Sequence, residues 1–253
     1  MGLILNIETA TKACSVALAS NGKLLSLKES HDETYRHSEV LTSYIEDACR
    51  QAGVSIEKID AVAISKGPGS FTGLRIGVST AKGICYGLKK PLISVPTLQA
   101  MCEGMRTWLN TRENQYGTSG LPGKINADHS GILFCPMIDA RRMEVYCALY
   151  DLGGKEVRET RAEIINGESF KDFFKGNYLL FAGDGAEKCR EVLSGNDKAI
   201  FIDGFIPSAQ FMCGLSEEKY RQKKFENLAS FEPFYLKDFI PGGVARQVHL
   251  PYS

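Results

Sequence analysis

The sequence predicts a two-lobed α/β protein that uses one structural plan twice. Each half opens on antiparallel strands and continues in alternating helices and strands. Between the halves, residues 110–130 are polar and glycine-rich with no hydrophobic period. No sequence repeat accompanies the duplication; only the order of elements recurs.

The elements follow from their residue patterns. Leu3 to Ile7 is a short apolar run and reads as a buried strand, and Ala13 to Ala19 reads as a second. Lys23 to Lys28 alternates polar and apolar after Asn21-Gly22, a pair suited to a tight hairpin because both positions accept positive φ. Val40, Leu41, Tyr44, Ile45 and Ala48 recur at helical spacing, which predicts a helix over 38–52 ended by Gly53. Asp60 to Ser65 reads as a strand, 72–88 as a helix, Pro91 to Val95 as a strand and Thr97 to about Leu109 as a helix. The second half restarts with strands at 132–138, 144–150 and 156–164. A short helix (169–175), a strand (178–181), the turn Gly183-Asp184-Gly185-Ala186, a helix to Leu193 and a strand (199–202) follow. A long helix over 207–224 closes the pattern, with cations toward its end. The expected division is a first lobe over 1–105 and a second over 106–253. The second includes an insertion at 110–130, and the 207–224 helix is a candidate to return to the first lobe.

Composition narrows the function classes. Hydrophobic residues make up 43% and charged residues 24%, enough for a packed core and too apolar for a disordered chain. Thirty Lys and Arg balance thirty Asp and Glu, so the basic excess of a protein that grips nucleic acid alone is missing. Any role near RNA is therefore expected to run through a partner. The eight cysteines (Cys14, Cys49, Cys85, Cys102, Cys135, Cys147, Cys189, Cys213) form no CxxC pair and mostly sit in apolar runs, as reduced buried thiols do. The opening MGLILNIETATK has no leader pattern, and no apolar run approaches the ~20 residues that span a bilayer. The expected location is the cytoplasm.

Lys66 to Gly83, KGPGSFTGLRIGVSTAKG, is the most distinctive segment. A strand, a glycine turn and a helix in that order can hold an anion at the helix N-terminus, but the spacing fits neither the Walker A loop nor GxGxxG. Gly73, Gly77 and Ala81 lie four apart on one helix face, where small side chains admit close contact. That contact is either internal or intermolecular. Glu8, in the turn after the first strand, can bind a metal–nucleotide or accept local backbone hydrogen bonds. Glu8, Thr9 and Thr11 in that turn, with Gly183, Asp184 and Gly185 in the second glycine turn, are the candidate nucleotide or anion contacts. His31, His37, His129 and His249 make no metal spacing. The run Lys219 to Lys224 mixes basic and aromatic residues, and reads as a solvated helix end before it reads as an RNA contact.

LNIET (Leu5–Thr9), the glycine block, DARRMEVY (Asp139–Tyr146), GDGA (Gly183–Ala186) and PFYL (Pro233–Leu236) together resemble the TsaB (YeaZ) family along nearly the whole chain outside 110–130. The resemblance implies an actin/hexokinase/Hsp70-like, ribonuclease H-like duplicated fold. It implies a non-catalytic subunit in formation of threonylcarbamoyladenosine next to the tRNA anticodon. The implied partners are a catalytic TsaD-type subunit and a TsaE-type ATPase, with tRNA engaged indirectly, a homodimer when alone and no membrane. No cofactor would be held tightly by this chain alone; ATP or ADP would sit at an interface of the complex. The TsaD-like paralogues carry an HxxxH metal pair, and aligning VPTLQAM puts Thr97 and Met101 at those places. Neither replaces an imidazole. Lys12 falls where the catalytic paralogue is acidic, which opposes a second cation. The expected partner interface joins Val40, Leu41, Tyr44 and Ile45 to Gly73, Leu74, Ile76, Gly77 and Ala81. On that reading Gly77→Leu blocks pairing and leaves the chain folded. No catalytic or metal residue is expected. The alternatives are a stand-alone nucleotide-binding phosphotransferase or ATPase of the same fold, and a glycopeptidase-like protease.

Overall fold

A computed structural model describes residues 2–31, 37–116 and 131–237. Two five-stranded sheets carry the fold. The first holds β1 (Leu3–Glu8), β2 (Ala13–Ser20), β3 (Lys23–His31), β4 (Ala61–Ser65) and β5 (Leu92–Val95) in the order β3-β2-β1-β4-β5. The second holds β6 (Ile132–Asp139), β7 (Glu144–Tyr150), β8 (Glu156–Ile164), β9 (Tyr178–Ala182) and β10 (Ala199–Ile202) in the order β10-β9-β6-β7-β8. Counted within each lobe, both orders are 3-2-1-4-5. The first three strands are antiparallel and the last two run parallel to the first. The duplicated actin-like plan is therefore present in the topology itself. Asn21 and Gly22 make the β2–β3 turn with φ of 54° and 76°.

Helices α1 (His37–Ala52) and α2 (Phe71–Leu88) cover one face of the first sheet, through Leu41, Ile45, Ala48, Val78, Ala81 and Cys85. The last helix of the first half, α3 (Thr97–Tyr116), instead lays Leu98, Met101, Cys102, Met105 and Leu109 on Ile132, Phe134 and Leu180 of the second sheet. Residue 105 lies inside this helix, which runs seven residues past the Leu109 end expected from sequence. Residues 117–130, the rest of the expected insertion, lie outside the described residues. On the second sheet's other face sit α4 (Lys171–Phe174) and α5 (Asp184–Leu193), around Phe170, Phe174, Phe181 and Cys189.

The chain then returns. In place of one long helix over 207–224 there is a 3-10 turn (Ala209–Met212) followed by α6 (Cys213–Arg221). Met212 packs on Ile4, Ala61, Ile93 and Val95, and Ala209 and Cys213 pack on Ala17 and Ala19, all in the first sheet. The two lobes are thus interleaved: each fills part of the space on the other's inner side.

All eight cysteines are free and buried. Burial pushes the Cys14, Cys102 and Cys213 thiols up to about 12, so they pack as small apolar groups. No helix among the described residues is long and apolar enough to cross a membrane.

Candidate functional site

The opening turn, Glu8 to Lys12, meets the glycine block at one end of the first sheet. Parallel pairing of β1 with β4 sets Ile7 beside Ile64, so the turn after β1 lies against the loop after β4. Glu8 is buried, and its Oε1 accepts the Ala10 amide (2.6 Å) and the Ser65 hydroxyl (2.9 Å). Burial raises its pKa to about 7 against those bonds. Of the two readings of Glu8, local hydrogen bonding is the one the geometry provides. Thr11 is buried with its Oγ1 accepting from the Ala13 amide (3.2 Å).

The glycines explain the rest. Loop 66–70 and the start of α2 press directly onto the opening turn. Ser70 donates its amide to the Ala10 carbonyl (2.6 Å) and its Oγ caps the Gly73 amide (3.3 Å). A Cβ at Gly69 would overlap the Ala10 carbonyl oxygen, one at Gly73 the Thr9 carbonyl oxygen, and one at Gly77 the Thr9 hydroxyl. The close contact that compensates these helix glycines is internal.

This corrects most of the expected partner interface. Gly73, Leu74, Gly77 and Ala81 on α2, with Leu41 and Ile45 on α1, face the chain's own core. Val40, Tyr44 and Ile76 stay half-buried at the rim of that core. The outward side of α2 carries Thr72, Arg75, Ser79, Gly83, Tyr86 and Gly87. Tyr86 is 81% exposed, and nothing lies within 4 Å of a Cβ built at Gly83 or Gly87. Sequence reasoning missed this face, although Ser79, Gly83 and Gly87 show the same four-residue spacing as Gly73, Gly77 and Ala81.

The same kind of close packing shapes both glycine turns. Gly67 donates to Thr97 Oγ1 (3.1 Å) and accepts from the Thr97 amide (3.0 Å), which ties this loop to the start of α3. Thr97 is thereby fixed as a loop anchor, while Met101 is a fully buried core residue. In the second turn, Gly183 (φ 99°) and Gly185 press on β6: a Cβ at Gly183 would lie 2.7 Å from Met101 Cε, and one at Gly185 2.9 Å from the Ile138 carbonyl carbon. Asp184 accepts the Asp139 amide (2.9 Å), and the Asp139 carboxylate pairs with Lys188. Gly183, Asp184 and Gly185 therefore serve strand–helix packing, and Thr9 is sealed beneath Gly77.

Thr9 Oγ1 is buried without a hydrogen-bond partner. Replacing it with the isosteric Thr9→Val removes that desolvated hydroxyl. The expected gain is about 1 kcal/mol, read as a melting temperature a few degrees higher in thermal denaturation followed by circular dichroism. An unchanged or lower value would mean that the hydroxyl is satisfied in solution.

His37 is buried, with Nε2 3.1 Å from the Ala13 carbonyl, and burial lowers its pKa. His31 is exposed; His129 and His249 lie outside the described residues. Among the described residues, no three of His, Cys, Asp and Glu come together as a metal-binding group. In the basic run, Lys219 donates to the Ser94 carbonyl (2.6 Å) and Arg221 pairs with Glu217 (2.7 Å), while Lys223 and Lys224 are exposed. A groove of about 610 Å³ lies elsewhere, between α3, the β7–β8 turn and α6, and the Glu103–Arg106 ion pair (2.8 Å) lines it.

The family model described as "TsaD: tRNA N6-adenosine threonylcarbamoyltransferase" matches residues 31–116, which hold α1, α2 and the glycine block. The "tRNA threonylcarbamoyladenosine biosynthesis protein TsaB" of Escherichia coli is 30% identical, over 94% of this chain and 95% of that one. The protein of the same description from Haemophilus influenzae is 26% identical over 94% of each. The structure of YeaZ from Pseudomonas aeruginosa superposes with a TM-score of 0.69 at 23% identity, over 93% of this chain and all of that one, so the whole fold is shared. With a relative 30% identical over 94% of this chain's length, and a shared fold, the chain belongs to the TsaB family.

Proposed function

We propose that the chain serves tRNA threonylcarbamoyladenosine formation in the cytoplasm as a non-catalytic partner subunit. It pairs with a TsaD-type catalytic subunit, a TsaE-type ATPase joins the pair, and tRNA is engaged through them. One observation carries the non-catalytic part: Thr97 and Met101, aligned with the paralogues' histidine pair, are spent on a loop anchor and a core contact. In this reading ATP or ADP belongs to a junction between subunits, because both glycine turns of this chain are filled by its own backbone. The pairing surface is the outward side of α2 (Arg75, Ser79, Gly83 and Tyr86), flanked by Val40, Tyr44 and Ile76. Small residues at Ser79 and Gly83 admit a facing helix, and Tyr86 supplies an aromatic anchor.

The purified chain mixed with the TsaD-type protein of the same organism is expected to run as a stoichiometric heterodimer by light scattering. Gly83→Leu, placed where nothing crowds a side chain, is expected to leave the chain folded and weaken pairing at least ~10-fold, equivalent to about 1.4 kcal/mol. Wild-type affinity in a folded Gly83→Leu chain would reject this surface. Two separate peaks from the wild-type proteins would reject the partner reading and make ATP hydrolysis, against a Glu8→Ala control, the next measurement.

A further inference from the structure

After α6 the chain runs across the first lobe and ends its described course on the second. Its near part is held firmly. The Glu226 amide bonds to the Leu92 carbonyl (2.8 Å) beside the edge strand β5. Leu228 and Phe231 pack against the first lobe's core. Lys82 Nζ donates to the Ala229 and Phe231 carbonyls (3.2 and 3.1 Å). The Phe234 amide bonds to the Lys66 carbonyl (2.7 Å), and a Cβ at Gly67 would lie 2.7 Å from the Phe234 carbonyl oxygen. The Tyr235 ring lies 5.0 Å from that of Phe71, the first residue of α2. The far end is held differently. Lys237 forms an ion pair with Glu144, the first residue of β7 in the second lobe, and the two side chains are 31% and 23% exposed.

We propose that residues 225–237 form a latch between the lobes, with the Lys237–Glu144 ion pair as the end that opens. Backbone hydrogen bonds and the half-buried Phe231 and Tyr235 rings fix the near part, whereas a single partly exposed ion pair is weaker and screened by salt. Release therefore begins at Lys237 and loosens one of the ties between the β6–β7 hairpin and the glycine loop, which α3 also joins to the second sheet. Because Phe234 touches both Lys66 and Gly67, the latch also joins lobe angle to the loop that caps α2. The latch does not depend on what α2 docks.

Spin labels at Ser43→Cys on α1 and Glu191→Cys on α5 report the lobe separation, since the native thiols are buried and these two positions are exposed. Lys237→Met and Glu144→Gln each remove one charge and keep most of the side chain. Each is expected to broaden the distance distribution and to speed exchange of the Phe234 amide about threefold. The charge swap, Lys237→Glu with Glu144→Lys, is expected to restore both, and ~0.5 M salt to reproduce the single variants in the wild-type chain. Wild-type distances in the single variants overturn the latch, even with faster exchange. A swap that fails to restore them overturns the ion pair as its closing contact.

Discussion

Gly77→Leu is expected to leave little folded protein. A side chain at position 77 starts where Thr9 Oγ1 already sits, with Ile64 Cδ1 2.9 Å from its first atom. Both neighbours are fully buried, and Thr9 belongs to a turn whose Ala10 amide and carbonyl are already bonded. Neither can retreat without opening the contact between α2 and β1. Overpacking of this kind costs ~3 kcal/mol or more, a large part of the 5–15 kcal/mol that a domain has in total. Urea denaturation followed by circular dichroism should show a collapsed midpoint or an insoluble product. Gly83→Leu on the same helix should match the wild-type chain or exceed it, because leucine favours a helix over glycine by ~1 kcal/mol. A folded Gly77→Leu chain with a near-normal midpoint would mean that α2 does not press on the opening turn in solution.

That contrast marks where the sequence could and could not be read. The hairpin at Asn21-Gly22 and the strand pattern of both halves are local, and they stand in the fold nearly as the residues imply. The glycine block was visible, but α2 carries two small-residue stripes at the same four-residue spacing. Only Thr9 and Ala10, far away in sequence, decide that the Gly73 stripe faces inward. Which sheet a helix joins is equally non-local. An amphipathic pattern says that α3 buries Met101 and Met105, not that it buries them on the second sheet. The C-terminal latch has no hydrophobic period at all, since its contacts run largely to backbone carbonyls. In the sequence Glu8 is a lone carboxylate in a turn, and its environment is set by Ser65, 57 residues away, which donates to it.

Glu8→Gln is expected to change the pH dependence of stability more than any other single substitution in the opening turn. In the folded chain the Glu8 carboxyl has a pKa of about 7, raised by burial from an ordinary value of 4.5. Below pH ~4.5 both folded and unfolded chains hold the proton, and the residue contributes no pH dependence. Between ~4.5 and ~7 the folded chain holds more protons than the unfolded one, so stability falls as pH rises; above ~7 the full penalty of about 3 kcal/mol is present. Glutamine stays neutral throughout and keeps an oxygen to accept from the Ala10 amide and the Ser65 hydroxyl. It forfeits the carboxylate's bond with the Thr9 amide, at ~1 kcal/mol. The variant should therefore be near neutral or slightly destabilised at pH 5 and more stable than wild type by about 2 kcal/mol at pH 8. His37 is buried beside the same turn, and its lowered pKa makes stability fall as the solution is acidified below its unfolded value near 6.5. That contribution is common to both chains and cancels in their difference. Urea midpoints at pH 5, 6, 7 and 8 give the difference directly. A gap that opens steadily toward pH 8 identifies Glu8 as a carboxyl whose ionisation is penalised by burial under the glycine block. A gap that does not vary with pH would mean that water reaches Glu8 through the turn, and that Gly69 and Gly73 do not seal it.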